Sequence, residues 1–286
     1  MTFRRVAVIG VGNIGSGVMA DLVLHGLSAV GVEASAASSD AGRAAVLKAV
    51  RFAPLLNPRA AKLSRDEVLG RATFTTSLEE VAGCDFVIEN VTEDWSVKEP
   101  LYRRLDRIAD PAVCFGANTS CIPIGRIGAA TGRPDKVVGM HLMNPVHLKP
   151  AVEVIRSGQT SAATLAAVDA LFAQLGKHAI VVGDLPGFVS NRISHLFMNE
   201  AAAVLADGIA TAEQIDAIFR ECFGHRMGPL ATADLIGLDT VVRSLDVLFA
   251  SYQDPKYQAC PLLRRLVAAG DCGVKSGRGF FRYPTS

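Results

Sequence analysis

The chain has 286 residues, half of them apolar, with 29 basic against 28 acidic side chains and a formal net charge of +1. Its length corresponds to about two domains, and it buries about three quarters of its unfolded surface without a disulfide or metal staple. The balanced charge excludes a dedicated nucleic-acid binder, and no run of 18 apolar residues is available to span a membrane.

Arg4-Arg5 and the apolar Val6-Ala7-Val8-Ile9 could open a leader peptide, but Gly10-Val11-Gly12-Asn13 ends the run too soon for one. The run instead predicts a parallel strand covered on both faces. Gly10 to Gly15 forms the turn after it. Ile14, Val18 and Leu22 then recur every fourth residue, with Gly26 at the C-cap position of a helix. Ala29–Val32 is a second strand, ending at Glu33. Thr73–Thr75 is strand-like, and Ser77 with Glu80 predicts a capping box on a short helix. Phe86–Ile88 is a strand, and Val97, Leu101, Leu105 and Ile108 mark a helix. Cys114–Ala117, Val137–Met140, Val152–Ile155 and Ala179–Val182 are further strands. This alternation means an α/β fold with a Rossmann-type doubly wound sheet.

After Asp184 helices take over: Asn191–Leu205, Thr211–Cys222 with a capping box from Thr211 and Gln214, and Leu230–Tyr252. A boundary at Asp184-Leu185-Pro186-Gly187 gives an N-terminal domain of residues 1–184 and an all-helical C-terminal domain of residues 185–286. Leu235, Leu238, Val242, Leu245 and Leu248 offer more apolar surface than one small helical layer buries, so a homodimer is expected. Cys84, Cys114, Cys121, Cys222, Cys260 and Cys272 are dispersed, with no Cys-x-x-Cys pair. Free, mostly buried thiols in a reducing cytoplasm, and no metal site, fit that pattern.

Gly10-x-Gly12-x-x-Gly15 is a weak signal alone, but here it follows a buried strand and opens a helix. Gly10 suits the tight turn, Gly12 the close approach of a pyrophosphate, and Gly15 helix–strand packing. The helix N-terminus supplies N–H groups and a positive dipole end. Glu33 stands 18 residues beyond Gly15. A carboxylate there accepts from ribose hydroxyls and repels a 2′-phosphate, which predicts NAD rather than NADP.

Polar residues also collect at strand ends. Ser120 follows one strand and His141 ends the next. Glu153 lies 12 residues later, after a reversal through Asn144-Pro145, and Asn191 opens the helical domain. Two strands joined by a short reversal bring His141 beside Glu153, an arrangement that orients an imidazole and holds its charge. His25, His178 and His225 lack such company and read as structural.

The chain resembles the 3-hydroxyacyl-CoA dehydrogenases over essentially its full length. The resemblance rests on Gly10-Val11-Gly12-Asn13-Ile14-Gly15, Asn118-Thr119-Ser120, His141-Leu142-Met143-Asn144-Pro145, Val152-Glu153-Val154-Ile155, Gly187-Phe188-Val189-Ser190-Asn191-Arg192 and Lys275-Ser276-Gly277-Arg278-Gly279-Phe280-Phe281. It implies His141 as acid/base, Glu153 as its partner, and Ser120 and Asn191 as ligands of the reacting oxygen. It places Glu93, Lys98, Asn144 and Lys275 near the cofactor, with Asn13 and Ile14 in the glycine turn. A β-hydroxyacid dehydrogenase would carry a lysine four residues before Asn191, where Gly187 stands. A silent dinucleotide-binding protein would not need the Ser120, His141, Glu153 and Asn191 set.

Two departures mark a subgroup. Lys149 stands where methionine is usual, and spacing puts Ala49 and Leu56 where the family has a serine and a lysine for coenzyme A, with Lys48, Arg51 and Arg59 nearby. With Glu89–Trp95 and Cys121–Ile124, these features resemble the dehydrogenases that oxidise a glyceryl group on an acyl carrier protein in polyketide extender-unit synthesis. The expected substrate is therefore a 3-hydroxyacyl thioester on an acyl carrier protein or coenzyme A, with Lys149 near it.

Overall fold

The computed structural model describes residues 1–284, in two units, Met1–Leu185 and a second beginning at Pro186. The first is built on an eight-stranded sheet of β1 (Arg5–Ile9), β2 (Ser28–Val32), β3 (Ala72–Thr75), β4 (Phe86–Glu89), β5 (Cys114–Ala117), β6 (Val137–His141), β7 (Ala151–Arg156) and β8 (His178–Gly183). The order is 3-2-1-4-5-6-7-8, and every neighbouring pair is parallel except β6 with β7. Each strand expected from the sequence is present. The exception has a simple cause: the link from His141 to Ala151 runs through a cis Asn144–Pro145 bond and one 3₁₀ turn, Val146–Leu148. That is shorter than the dozen or more residues a parallel crossover requires.

Around the sheet stand α1 (Asn13–Leu24), α2 (Ala36–Leu56), α3 (Arg65–Arg71), α4 (Trp95–Ile108), α5 (Ile124–Ala129) and α6 (Ala162–Gln174). Val18, Met19 and Leu22 of α1 pack with Val6, Val8, Phe86, Ile88 and Met140 of the strands in one buried cluster. Full burial of side chains of this size stabilises by about 1.5–3 kcal/mol each. No element is read from the sequence between Glu33 and Thr73, where α2 and α3 lie. Ser35 with Ser38, and Ser64 with Glu67, cap these helices reciprocally.

The expected box at Ser77 and Glu80 does not form. Leu78–Gly83 is a 3₁₀ turn without a side-chain cap. The Ser77 hydroxyl donates to Glu79 at 2.8 Å, and the Glu80 carboxylate is drawn to Arg5 at 3.0 Å.

The second unit contains α7 (Ser190–Ala206), α8 (Ala212–Ala217), α9 (Pro229–Ile236), α10 (Leu238–Tyr252) and α11 (Pro261–Ala268). Thr211 and Gln214 form the expected box, after which α8 relaxes into a π-helical turn, Ile218–Cys222. The stretch Leu230–Tyr252 is two helices, because Gly237 takes φ +102° and turns the chain between them. Leu238, Val242, Leu245 and Leu248 are buried, the first three in this unit's own core with Met198, Leu230 and Leu263. Of the five residues from which self-association was expected, Leu235 alone is exposed, at 60%. Those four therefore offer no surplus apolar surface.

The glycines of the C-terminal turn surround Asp234. A Cβ on Gly279 would lie 2.0 Å from Asp234 Oδ1, and the Phe280 and Phe281 amides and the Tyr283 hydroxyl donate to that carboxylate at 2.9–3.0 Å. Of the six cysteines, Cys84, Cys114 and Cys260 are buried, Cys121 and Cys272 half-buried, and Cys222 exposed. Among the described residues no helix is long and apolar enough to cross a membrane.

Candidate active site

The glycine turn follows β1. Gly10 has φ +83°, and a Cβ there would meet Asn90 O at 2.9 Å. Gly15 abuts the turn so closely that a Cβ would sit 1.9 Å from Gly10 O, whereas one on Gly12 would meet nothing within 4 Å. The chain is thus closed around Gly10 and Gly15 and open over Gly12, at the N-terminus of α1, as a bound pyrophosphate requires. Glu33 Oε1 accepts from Val11 N at 2.5 Å. Glu33 also lines, with Gly10, Gly12, Val32, Val91 and Leu101, a cavity of about 710 Å³. Its size and its largely apolar walls, with one carboxylate at the edge, fit the adenosine half of a dinucleotide.

At the same sheet, β6 and β7 place His141 directly opposite Glu153 in the antiparallel register. His141 Nδ1 lies 2.8 Å from Glu153 Oε2, and Nε2 lies 3.1 Å from Ser120 Oγ. Since an ionised carboxylate only accepts, Nδ1 carries the proton towards Glu153, and Nε2 keeps its lone pair on the side of Ser120. His141 is 8% exposed. The burial restricts the ring to this orientation.

Ser120 sits in a loop after β5, held by a carboxylate. Glu93 Oε1 accepts from the Thr119 hydroxyl at 2.5 Å and from the Ser120 and Cys121 amides at 2.9 and 3.0 Å. Burial pushes the Glu93 carboxyl up, but the Lys98 charge and these hydrogen bonds outweigh it and hold the group below the usual range. Lys98 itself is fully buried. Its ammonium donates to both Glu89 oxygens at 2.7 and 2.8 Å and to Asn118 O at 2.9 Å, and it stands 3.7 Å from Glu93. The Tyr102 hydroxyl adds a third donor to Glu89 at 3.0 Å. Burial raises the Glu89 carboxyl, against the pull of Lys98.

Ser120, His141 and Glu153 are thus brought together, and Glu93 with Lys98 lies directly behind Ser120. Asn144 is exposed beside the cis proline, and Lys149 is exposed at the end of the following turn. Asn191 is the second residue of α7 in the second unit, where its carbonyl lies 2.9 Å from His195 Nδ1. In that unit Lys275 is ion-paired with Asp239 at 2.5 Å. Glu89, Tyr102 and Thr119 were not read as site residues. One signal pointed to two of them: Lys98 recurs with Tyr102 and Leu105 on the buried side of α4, where a lysine needs a buried partner.

The sequence matches the 3-hydroxyacyl-CoA dehydrogenase NAD-binding domain over residues 5–185 and the C-terminal domain of the same enzymes over residues 187–283. The chain belongs to the 3-hydroxyacyl-CoA dehydrogenase family. A probable 3-hydroxybutyryl-CoA dehydrogenase of Bacillus subtilis (strain 168) is 40% identical over 286 residues, covering 99% of this chain and 98% of that protein. Among solved structures, FadB2 of M. tuberculosis superimposes with a TM-score of 0.94 at 37% identity, covering 99% of this chain and all of that one. The (S)-3-hydroxybutyryl-CoA dehydrogenase PaaH1 of Ralstonia eutropha gives 0.92 at 39%, again over 99% and 100%. Membership fixes NAD as the cofactor of the first unit.

Proposed function

We propose that the chain oxidises the 3-hydroxyl of a 3-hydroxyacyl thioester to the 3-oxoacyl thioester with NAD. The observation that carries this reading is the Ser120–His141–Glu153 chain of contacts, at 3.1 and 2.8 Å, on the sheet that carries the glycine turn. Nε2 of His141 takes the hydroxyl proton as the C3–H bond breaks. Glu153 stabilises the imidazolium that results, and Ser120 donates to the reacting oxygen. NAD, when held by the first unit, would supply the acceptor for the hydride that leaves C3. Family resemblance assigns Asn191 a second hydrogen bond to that oxygen. Gly10, Gly12, Asn13, Ile14, Gly15 and Glu33 hold the dinucleotide, and resemblance adds Glu93, Lys98, Asn144 and Lys275.

The names of the relatives make 3-hydroxybutyryl-CoA the first substrate to try. A second reading, a glyceryl group on an acyl carrier protein, is favoured by exposed Lys149. A cation there suits a hydroxylated acyl group better than a plain hydrocarbon. The test is the growth of NADH absorbance over both acyl groups on both carriers. A faster rate on 3-hydroxybutyryl-CoA retires the glyceryl reading, and no reduction of NAD on any of the four retires the proposal. Self-association of the helical unit is also proposed, through exposed Ile209, Phe223, Leu235 and Ile236. Sedimentation of the pure protein decides it.

A further inference from the structure

Asn118, the residue after β5, is hydrogen-bonded to three different parts of the first unit. Its amide donates to Glu89 O at the end of β4, at 2.8 Å. Its carbonyl accepts from the Lys98 ammonium of α4 at 2.9 Å. Its side-chain Oδ1 accepts from the Leu142 amide at 3.2 Å, immediately beyond β6 and next to His141. This third bond stands in for one that the main chain no longer makes. β5 and β6 are paired in register from Phe115–Val137 to Ala117–Gly139, where the ladder ends. From there the chain turns off towards Ser120, with the Asn118 carbonyl aimed at Lys98 instead of at β6. Leu142 is buried, and a buried amide left without an acceptor is costly. The carboxamide of an asparagine, one methylene from the backbone, puts a carbonyl where the departing strand has withdrawn its own.

The catalytic end of β6 is thus held from both sides. On one side His141 pairs with Glu153 of β7. On the other Asn118 holds Leu142, and Asn118 opens the Asn118-Thr119-Ser120 segment that carries the serine. The 3.1 Å contact of Ser120 Oγ with His141 Nε2 spans the same two segments. We infer that Asn118 is a positioning residue, whose side-chain carbonyl sets the distance between Ser120 Oγ and His141 Nε2. Its main-chain carbonyl anchors that constraint on the buried Lys98–Glu89 pair. This role rests on the use of Ser120 and His141 in the oxidation proposed above. Asn118 takes no proton and touches no reacting atom. A misplacement of about 1 Å between reacting groups costs on the order of 10²-fold in rate. Loss of the tie should therefore be felt in kcat and not in the binding of NAD.

Asn118→Leu keeps the volume and removes the acceptor, whereas Asn118→Asp keeps the acceptor. For the wild type and both variants, amide hydrogen exchange at Leu142 is read against Val138 of the same strand. Turnover of the best of the four thioesters and fluorescence titration of NAD are measured beside it. In Asn118→Leu the Leu142 amide should exchange roughly tenfold faster relative to Val138. Its kcat should fall about 10–100-fold, with the Kd for NAD within about twofold of the wild type. Asn118→Asp should recover most of both losses. Ser120→Ala/Asn118→Leu should lose little more than Ser120→Ala alone, because the distance that Asn118 sets then has no consequence. Unchanged relative exchange at Leu142 overturns the tie, whatever the enzyme oxidises. Equal loss of kcat in the Leu and Asp variants, a matching loss of NAD affinity, or additive losses in the double variant overturn the positioning role. A wild type that reduces no NAD on any thioester retires the oxidation reading and the positioning role with it, while the exchange result still decides the tie.

Discussion

The Lys98 ammonium contacts both carboxylate oxygens of Glu89, and neither side chain reaches solvent. Removing one member strands a buried charge, which costs about 3–5 kcal/mol, whereas removing both together is far milder. Lys98→Met should therefore lower the urea midpoint strongly, and Glu89→Gln/Lys98→Met should recover much of the loss. A double variant as unstable as the single one would show that the pair is not what Lys98 contributes. Because Lys98 also holds Asn118 O, the single variant should lose turnover through the Ser120 loop.

His141 and Glu153 offer a sharper test, since their proposed role is in the chemistry rather than in folding. His141→Gln removes the proposed base, and a positioned general base contributes roughly 10²–10⁴-fold. Turnover should fall by about that factor while NAD affinity, read from fluorescence titration, stays near the wild-type value. Glu153→Gln keeps the shape but lets Nδ1 lose its proton preference, so a smaller fall in kcat is expected. Unchanged turnover in His141→Gln would remove the imidazole from the mechanism.

The sequence made the strands legible because each is a short continuous apolar run, the mark of a sheet covered on both faces. The spacing of His141 and Glu153 was legible for a related reason: a reversal too short for a crossover forces antiparallel pairing, and pairing sets the register. Helix α2 escaped because Phe52, Leu55 and Leu56 on its outer side blur the 3.6-residue pattern and Pro54 lies inside it. Gly237 was absorbed into a helix because nothing in a single sequence shows a positive φ. The ion pair of Glu89 and Lys98 depends on two elements meeting, which periodicity along one of them does not reveal.

Two histidines near Asp21 are shifted in opposite directions. His25 is raised, its contact with Asp21 outweighing burial, and His147 is lowered by burial, more than Asp21 restores. Lys177, 3.1 Å from Asp21, adds to the lowering at His147. A depressed histidine takes its proton more readily in the unfolded chain, so His147 reduces stability as pH falls below about 6.5 towards its folded value. A raised one does the reverse, and the stability from His25 is lost as pH rises above about 6.5 through its folded value. Thermal unfolding from pH 5 to 8.5 should show His147→Phe flattening the acid side of the curve and His25→Gln flattening the other. Parallel curves for all three proteins would contradict the assignment.

The proposed role of Glu33 is to choose between dinucleotides by charge. Its Oε1 is engaged with the Val11 amide, so the remaining oxygen is the one available to ribose hydroxyls. A hydrogen bond to a charged group contributes about 1.5–3 kcal/mol, or roughly tenfold and more in affinity. Glu33→Ala should raise the KM for NAD by that order and make NADP measurable. If NADP remains unused and NAD is unaffected, the carboxylate does not face the ribose.

The glycine turn separates folding from binding within one motif. Gly15→Ala forces a Cβ to within 1.9 Å of Gly10 O, so the first turn of α1 must move off β1, and the melting temperature should fall by several degrees. Gly12→Ala meets no atom within 4 Å and should fold with nearly the wild-type melting temperature. In the proposed binding mode its methyl group nevertheless occupies the space through which the pyrophosphate would reach the N–H groups of α1, so NAD affinity should fall at least tenfold. The two variants thus fail in different assays for one geometric reason. A Gly12→Ala protein that binds NAD as tightly as the wild type would mean that the phosphates lie elsewhere than over the open side of the turn.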